Sequence, residues 1–292
     1  MIMMKKTIIA ATTAFAVSAC STGFYGTSDQ ASPVAGYALA NNGTTLITMG
    51  SIASPAKMDT FTLSNKLDAV AYRPVTGELL GYTNGAVYAV NTKTGKLTDL
   101  GATFTNGAMI SKDASATAMD FNNAIDAVRM VGSDGTNLVY FPVGFGDQDK
   151  RANSVLKFTS TFYVKGDSNE GTTPEIFANA YTNAIAGAKA SSTFQFALDS
   201  KTDSLVSLAN NSGELKTVAK ITINGKVVDL SSMGGFDIVS AEEGSDAAYA
   251  ILQLEGESKA GLYSIDLTTG AATLMADLPM GGFSGFAVSG GK

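Results

Sequence analysis

Histidine and tryptophan are absent from this chain of 292 residues, and cysteine occurs only once, at Cys20. Without histidine, the Ser-His-Asp and Cys-His nucleophile systems are impossible, as are the usual zinc and non-haem iron sites. A single cysteine excludes a disulfide within the chain and leaves no catalytic thiol in its body. These absences remove several common enzyme classes and favour a protein that binds without catalysing and needs no cofactor.

Basic residues are too few to suggest nucleic-acid binding. The chain has 20 Lys and Arg against 26 Asp and Glu, which gives a net charge of −6 at pH 7. Loss of an N-terminal leader containing Lys5 and Lys6 would make that charge −8. Such a chain repels a phosphate backbone on average, and no basic cluster overrides the repulsion. We therefore expect no nucleic-acid partner.

Proline is also scarce, with 6 residues, whereas glycine is abundant at 31 and hydrophobic residues make up 45% of the chain. This apolar content is enough for a sizeable core. Many glycines with few prolines predict short strands joined by tight turns. The length suits one large all-β domain.

The N-terminus has the order of a secretory leader. Met4-Lys5-Lys6 is basic, residues 7–19 are mostly apolar, and Cys20 follows. The apolar stretch is shorter than the roughly 20 residues that span a bilayer as a helix. Val17-Ser18-Ala19-Cys20 resembles the lipobox of bacterial lipoproteins, in which the cysteine thiol accepts a diacylglycerol before cleavage. We expect a signal peptide at residues 1–19 and lipidation of Cys20. An ordinary signal peptide or a buried N-terminal strand is the alternative.

The residues after Cys20 set the expected location. In lipoprotein leaders, Ser rather than Asp after the cysteine favours the outer membrane of a Gram-negative host, and Ser21 stands there. Two or more acyl chains give a stable anchor. Residues 20–35, rich in Ser, Thr and Gly, predict a flexible tether to a domain of residues 36–292. We expect an outer-membrane lipoprotein, on the periplasmic or the surface face, held to the membrane by lipid.

A short hairpin pattern recurs in the body of the chain. Residues 87–95 and 262–270 align without gaps, and residues 195–203 follow the same pattern. Each is an alternating strand that runs into an Asx-x-x-Thr-Gly or Asx-x-x-Thr-Asp turn and is followed by another strand. The Asn or Asp side chain can bond its own turn, and Gly95 and Gly270 can adopt positive φ.

A second element recurs every 50 to 60 residues or so, a spacing typical of propellers and other repeat arrays. Its five copies are strands with small side chains that suit a crowded inner position: Val70-Ala71-Tyr72, Met119-Asp120-Phe121, Asn179-Ala180-Tyr181, Phe236-Asp237-Ile238 and Phe286-Ala287-Val288. The last copy has no blade after it, and the strands at Gly36–Leu39 and Thr44–Met49 have no inner strand before them. Joining the two ends would complete a blade and remove an exposed edge.

We therefore predict an all-β fold, a β-propeller of five blades with about four antiparallel strands each, closed by pairing of the N- and C-terminal strands. A β-sandwich or an irregular β-solenoid is the alternative. Residues 144–153 and 165–173 are polar and glycine-containing and predict loops. The alanine-rich residues 183–192 could form a helical turn.

Several segments together resemble a bacterial family known as domain of unknown function 4394, which is found on exported proteins. They are Tyr72–Gly77, Asp120–Asp126 with Arg129, Asn137-Leu138, Ala180–Asn183 and Gly235–Ile238. The resemblance covers about residues 36–289 and implies a propeller-like fold without implying an activity. Ala71, Asn123 and Ala127 depart from the family pattern, which usually has Asp, Pro and Arg there.

Polar residues on the predicted inner strands and the turns after them form the candidate ligand site. They are Arg73, Asp120, Asn122, Asp126, Arg129, Tyr181, Asn183 and Asp237. Carboxylates and amides beside arginines can hold a glycan, a peptide terminus or a hydrated cation. Alternatively, these side chains close turns and satisfy buried backbone groups between blades. The acidic segments at residues 147–149 and 167–170 lack the full spacing of a calcium loop, so we predict that they are solvated loops.

We expect a non-catalytic binding or scaffold module, with another envelope protein or a glycan as partner. One alternative is a polysaccharide-cleaving propeller enzyme in which Asp120, Asp126 and Asp237 supply the acid, the base and an orienting group. The lack of tryptophan weakens that alternative, because carbohydrate subsites normally stack sugars on aromatic rings. Another alternative is a structural partner of an outer-membrane complex.

Overall fold

In the computed structural model, which describes residues 33–83, 85–144 and 149–290, the chain is built of short strands and tight turns, with no helix in these ranges. The first eight strands are β1 (Ala35–Ala40), β2 (Thr45–Met49), β3 (Met58–Thr62), β4 (Ala69–Tyr72), β5 (Leu79–Thr83), β6 (Ala86–Val90), β7 (Leu97–Asp99) and β8 (Thr103–Phe104). The next eight are β9 (Thr117–Asn122), β10 (Ala127–Gly132), β11 (Asn137–Phe141), β12 (Ser154–Phe158), β13 (Phe162–Tyr163), β14 (Ile176–Tyr181), β15 (Gln195–Asp199) and β16 (Ser204–Ala209). The last eight are β17 (Glu214–Lys220), β18 (Thr222–Ile223), β19 (Lys226–Val227), β20 (Leu230–Ser240), β21 (Asp246–Leu254), β22 (Ala260–Ile265), β23 (Ala271–Asp277) and β24 (Gly285–Ser289).

These strands form five sheets, which are the blades of a β-propeller. Blade 1 has the order β4-β5-β6-β7, blade 2 the order β9-β10-β11-β12, blade 3 the order β14-β15-β16-β17 and blade 4 the order β20-β21-β22-β23. Blade 5 has the order β24-β1-β2-β3. The prediction of five blades with about four antiparallel strands is confirmed.

Blade 5 closes the ring by joining the two ends of the described chain. β24 pairs antiparallel with β1, so that Phe286 lies opposite Ala38 and Ala287 opposite Tyr37. The backbone N–H of Ala35 also donates to the hydroxyl of Ser289 at 3.3 Å. The predicted closure by N- and C-terminal strands is therefore confirmed.

The innermost strand of each blade is one of the five recurring segments. Strands β4, β9, β14, β20 and β24 each contact the inner strands of both neighbouring blades. Their approach is close enough to require glycine: a Cβ on Gly235 would lie 2.3 Å from the backbone nitrogen of Phe286. Small residues therefore recur in these strands because the centre of the ring has no room for larger ones.

The apolar core is divided among the spaces between blades. Five buried clusters each join two neighbouring blades: Tyr82 with Phe121 (blades 1 and 2), Ala118 with Ile176 (blades 2 and 3), Leu198 with Phe236 (blades 3 and 4), Ile47 with Leu262 (blades 4 and 5), and Leu46 with Leu79 (blades 5 and 1). Neighbouring sheets thus bury each other's faces all the way around the ring.

The recurring hairpins have the turn chemistry that was predicted, but they do not occupy one position in the blade. The turns at residues 91–95 and 266–270 join the third and fourth strands of blades 1 and 4, whereas residues 199–203 join the second and third strands of blade 3. In the third copy Asp203, at φ 47°, replaces the glycine of the other two, which have φ 68° and 69°.

Three blades gain a short outer strand from the segment that arrives from the previous blade. β8, β13 and β18 pair in parallel with β12, β17 and β23, the outermost strands of blades 2, 3 and 4. This added strand covers an edge that would otherwise present unpaired backbone groups. Across the three described ranges, no helix has the length and hydropathy to cross a membrane. Cys20 and the predicted signal peptide lie outside the described residues, as do Asp147 and Gln148.

Candidate functional site

Most of the predicted ligand residues lie at the end of the channel where the inner strands finish. Arg73 follows β4, Asp126 lies in the turn after β9, and Asn183 follows β14. Asp120 and Asp237 lie further inside the ring, on β9 and β20. Each of these side chains forms hydrogen bonds within the protein.

Arg73 and Asp126 form a buried ion pair between blades 1 and 2. The guanidinium donates through Nε to Oδ1 at 2.8 Å and through Nη2 to Oδ2 at 2.5 Å, and its Nη1 donates to Glu78 at 2.9 Å. The two side chains are only 7% and 4% exposed. Asp126 has φ 58°, in the left-handed region that an aspartate tolerates in a turn. The hydrogen bonds that Arg73 donates to Asp126 raise the pKa of Arg73. The ion pair therefore links blade 1 to blade 2.

Arg129 joins blades 2 and 3 in the same way. Its Nη1 donates to Asn137 at 2.7 Å, its Nη2 to Asn211 at 2.9 Å and its Nε to the hydroxyl of Tyr181 at 3.3 Å. The guanidinium also lies 5.5 Å from the centre of the Phe158 ring. All three of its nitrogens are used within the protein, so little of this side chain is left for a ligand.

Asn122 and Asn183 close turns. The side-chain oxygen of Asn122 accepts from the N–H of Ala124 at 3.1 Å and from the hydroxyl of Thr193 at 3.0 Å. The amide of Asn183 donates to the carbonyl of Ser192 at 2.9 Å and accepts from the N–H of Gly244 at 2.8 Å. Both side chains therefore close turns and bond backbone groups, as the alternative interpretation predicts.

Asp120 and Asp237 are the two carboxylates of the inner ring. Asp120 accepts from the backbone N–H of Tyr181 on the next blade at 2.6 Å, and Asp237 accepts from that of Val288 at 2.6 Å and from that of Ile238 at 2.7 Å. Both residues are 4% exposed. Burial raises the pKa of Asp237 to about 7. Burial, and then the charge of Asp237, raise the pKa of Asp120 well above its ordinary value.

The structure therefore brings only some of the predicted residues together. Arg73 bonds Asp126, and Tyr181 bonds both Arg129 and Asp120. Asn122, Asn183 and Asp237 bond residues outside the predicted set. The eight residues do not line one open cavity, and ligand binding by them remains a prediction.

Residues 183–192, called here the plug loop, close this end of the channel. The N–H of Gly187 donates to the carbonyl of Pro74 in blade 1 at 2.8 Å, and the amide of Asn123 in blade 2 donates to the carbonyl of Asn183 at 2.8 Å. Ile185 forms a parallel bridge with Ser240 of blade 4. The loop thus forms hydrogen bonds with blades 1, 2 and 4. No helix forms here, because these backbone groups bond across the ring.

The opposite end of the channel, where the inner strands begin, opens into a cleft of about 380 Å³. This mouth cleft is lined by residues of all five blades, among them Asn42, Lys66, Lys112, Ser115, Met233 and Ser284. Below it the channel narrows between Ala118, Asn179 and Gly235. The cleft is the open entrance to the ring.

Amines and hydroxyls dominate the polar lining of the mouth cleft. Lys66 pairs with Asp68 at 2.9 Å, and the hydroxyl of Thr83 also donates to Asp68 at 2.9 Å. Lys112 forms no ion pair with another described residue. The loop that carries it is held by a bond from the Ser111 N–H to Asp134 at 3.0 Å. The cleft thus presents a free ammonium group on an anchored loop, in a protein of net negative charge.

Sequence reasoning missed this cleft. Lys66, Lys112 and Ser115 lie in irregular turns and follow no repeat, so nothing in their pattern marks them. The five recurring segments offered an indirect signal, because residues just before each inner strand must meet at one end of the ring. No group of three or more Asp, Glu or Cys side chains that could hold a metal ion occurs in the described part of the chain.

Comparison with known proteins gives a family but no activity. A family model described as Domain of unknown function (DUF4394) matches residues 44–287. None of the curated proteins matches the chain.

Three similar solved structures are hydrazine synthase of Kuenenia stuttgartiensis and auxiliary nutrient binding proteins of Bacteroides thetaiotaomicron and Bacteroides ovatus. Their identities are 11%, 12% and 9%, and their TM-scores are 0.39, 0.44 and 0.41. The matches cover 73%, 73% and 76% of this chain but 49%, 52% and 56% of the others, so this chain spans about half their length. The assignment of the fold therefore rests on the strand order, the closing pair and the interblade cores described above.

Proposed function

The chain belongs to the family of Domain of unknown function (DUF4394), and we propose that it is a non-catalytic binding module that holds a small, oxygen-rich ligand in the mouth cleft. The observation that carries this proposal is the asymmetry of the channel. One end is closed by the plug loop, and the other opens into a polar cleft of about 380 Å³. That volume lies within the range of about 300–1,000 Å³ typical of small-molecule sites.

The chemistry of the lining supports a ligand that presents hydroxyl or acidic groups, such as a glycan fragment. Lys112 offers three donors and a positive charge, and Ser115 adds a hydroxyl. The one acidic side chain of the lining, Asp68, already accepts from Lys66 and Thr83. Met233 supplies an apolar surface beside these donors.

The same geometry weighs against the polysaccharide-cleaving alternative. A glycosidase of the usual kind needs two carboxylates that flank the substrate. Asp126 is held by Arg73, and Asp120 and Asp237 are buried inside the ring and do not line the cleft. A binding role needs none of these carboxylates to reach the ligand.

Binding is tested by blocking the cleft. Ser232→Trp places an indole in the cleft lining, whereas Lys189→Trp places one on the exposed surface of the plug loop. Calorimetric titration with neutral and acidic glycan fragments should show binding that Ser232→Trp abolishes and Lys189→Trp preserves. Binding that Ser232→Trp leaves intact, or glycan hydrolysis that depends on Asp120 or Asp237, would contradict the proposal.

Anchoring to the envelope forms the second part of the proposal. The order of basic region, apolar region and Val17-Ser18-Ala19-Cys20 supports lipidation at Cys20 and an outer-membrane location. Changing Cys20 to Ala should release the protein from the membrane fraction and remove the mass of the lipid. A variant that stays membrane-bound with unchanged mass would show that the lipobox interpretation is wrong.

A further inference from the structure

The charged side chains of the mouth cleft leave one positive charge unbalanced. Lys66, Asp68 and Lys112 are the charged residues in the described part of its lining. Lys66 and Asp68 pair at 2.9 Å, whereas Lys112 forms no ion pair with a described residue. Two lysines against one aspartate give this lining an excess of one positive charge, although the whole chain has a net charge of −6.

The acidic residues near Lys112 do not supply a carboxylate inside the cleft. Asp113 follows Lys112 in the chain but does not belong to the lining. Asp134 does not belong to it either, and its carboxylate accepts from the backbone N–H groups of Ser111 and Thr136 at 3.0 and 2.9 Å and from the Thr136 hydroxyl at 2.9 Å. These bonds hold the loop in place, and the Lys112 ammonium group is free to bind an anionic ligand.

Three uncharged side chains of the lining also keep free hydrogen-bonding groups. Thr117 begins β9 and lines both the cleft and the narrow part of the channel below it. It is only 6% exposed, yet its hydroxyl bonds no described residue. The side chains of Asn42 in blade 5 and Ser232 in blade 4 likewise form no hydrogen bond with a described residue. Because buried polar groups are normally hydrogen-bonded, the free Thr117 hydroxyl marks a place for a polar ligand.

We propose, building on the binding function proposed above, that the ligand of the mouth cleft is a short glycan that contains uronic acid. Its carboxylate pairs with Lys112, and its hydroxyl groups bond the free polar groups of Thr117, Asn42 and Ser232. One carboxylate supplies the single negative charge that balances the lining. The sugar hydroxyls can both donate and accept, as an amide and two side-chain hydroxyls require.

A carboxylate fits the charge of the cleft better than a phosphate or a neutral sugar does. A phosphate monoester carries a charge of about −1.5 to −2 at pH 7, which exceeds the excess charge of the lining. Phosphate sites commonly use arginine or the N-terminus of a helix, and the described lining contains neither. A neutral glycan would leave the Lys112 ammonium group without a counter-charge.

The test compares acidic glycans with neutral partners of the same shape. The full chain is titrated calorimetrically with trimers of galacturonic, mannuronic or guluronic acid and with their methyl esters, in which a methyl group replaces the charge. At low salt, at least one acid trimer should bind about three- to tenfold more tightly than its ester. Sodium chloride at about 0.5 M should reduce this ratio towards one, because salt screens an exposed ion pair.

Variants assign the preference to the cleft. Lys112→Met keeps the length of the side chain and should remove the difference between acid and ester. Lys96→Met is the matched control, since Lys96 is an exposed lysine outside the lining, and it should keep the difference. Thr117→Val should weaken the binding of acid and ester alike, by about three- to tenfold. It should leave the melting temperature unchanged, because the Thr117 hydroxyl bonds no described residue.

The outcomes separate this inference from the binding function on which it rests. Esters that bind as tightly as the acids would overturn the uronic acid assignment and leave a neutral glycan as the ligand. A preference for the acids that survives in Lys112→Met would overturn it as well, as would tighter binding of glucose 6-phosphate than of any uronic acid trimer. If no acidic or neutral glycan binds, the proposed binding function itself is wrong.

Discussion

At the plugged end of the channel, polar side chains are buried and bonded between blades, whereas at the open end they remain in contact with solvent. Arg73 and Asp126 form a bidentate pair under the plug loop, and both are nearly inaccessible. Lys66 and Asp68 form a pair at the mouth cleft with side chains 57% and 27% exposed. The same kind of contact thus holds the ring together at one end and leaves room for a ligand at the other.

The largest difference between the two ends should appear when their ion pairs are broken. Asp126→Ala leaves the buried Arg73 without its main partner, and we expect the free energy of unfolding to fall by about 3–5 kcal/mol. Urea unfolding followed by circular dichroism measures this loss. A loss of unfolding free energy below about 1 kcal/mol would show that the Arg73–Asp126 pair does not stabilise the contact between blades 1 and 2.

The middle of the channel should respond to pH. Burial raises the pKa of Asp237 to about 7, so the folded state binds this proton more tightly than the unfolded state. The ionised carboxylate therefore destabilises the fold above about pH 7, and this cost disappears as the pH falls towards 4. We expect stability to rise between pH 8 and pH 5.

Below about pH 4 the trend should reverse. Partial burial alone would raise the pKa of Asp167, but the hydrogen bonds that its carboxylate accepts outweigh burial and lower the pKa. Backbone N–H groups likewise lower the pKa of Asp266, so the contribution of both carboxylates to stability is lost on protonation. Urea unfolding at a series of pH values tests both limbs, and Asp237→Asn should flatten the rise between pH 8 and pH 5. A wild-type profile that is flat there would contradict the account of the buried carboxylate.

Loosening the plug loop should have a smaller effect. Asn123→Ala removes the bond to the Asn183 carbonyl and should cost about 1 kcal/mol. It should also speed hydrogen exchange at the amides of Gly187 and Ala190, which bond across the ring. Exchange measured by mass spectrometry on peptides of the plug loop, with peptides of blade 5 as the internal control, tests this. Unchanged exchange would show that the loop is held without Asn123.

The smallest effect is expected at the open end. Lys66→Ala breaks an exposed pair with Asp68 and should change the free energy of unfolding by 0–1 kcal/mol. The same urea assay as for Asp126→Ala gives the comparison directly. Loss of several kcal/mol would show that the mouth cleft also has a structural role.

The ring itself could be predicted because it repeats. Similar strand segments centred on Ala71, Asp120 and Asp237 recur at a roughly regular spacing, and their shared position as innermost strands is the common cause. The closing pair followed from a first hairpin without an inner strand and a last strand without a blade. Local patterns of this kind need no knowledge of distant contacts.

The candidate site could be predicted only in part, because its geometry depends on contacts between blades. Arg73 and Asp126 were both named, but nothing local shows that residues 53 positions apart bond each other. The alanine-rich plug loop looked helical because its partners, Pro74 and Ser240, are remote in sequence. Lys112 was not predicted as a ligand residue, because a single lysine in a turn has the same sequence pattern as any other solvent-exposed lysine.

The seam between β24 and β1 also has a consequence for the timing of assembly. β1, β2 and β3 are the first strands of the ring to be synthesised, but their blade lacks its innermost strand until Gly285–Ser289 has been made. Blade 5 is therefore completed last. Until then two sheet edges and the apolar faces of blades 1 and 4 remain uncovered, which is the state most prone to aggregation. A chain that ends before residue 285 would therefore not form a closed propeller, because the sheet edges and apolar faces on both sides of the missing strand would stay exposed.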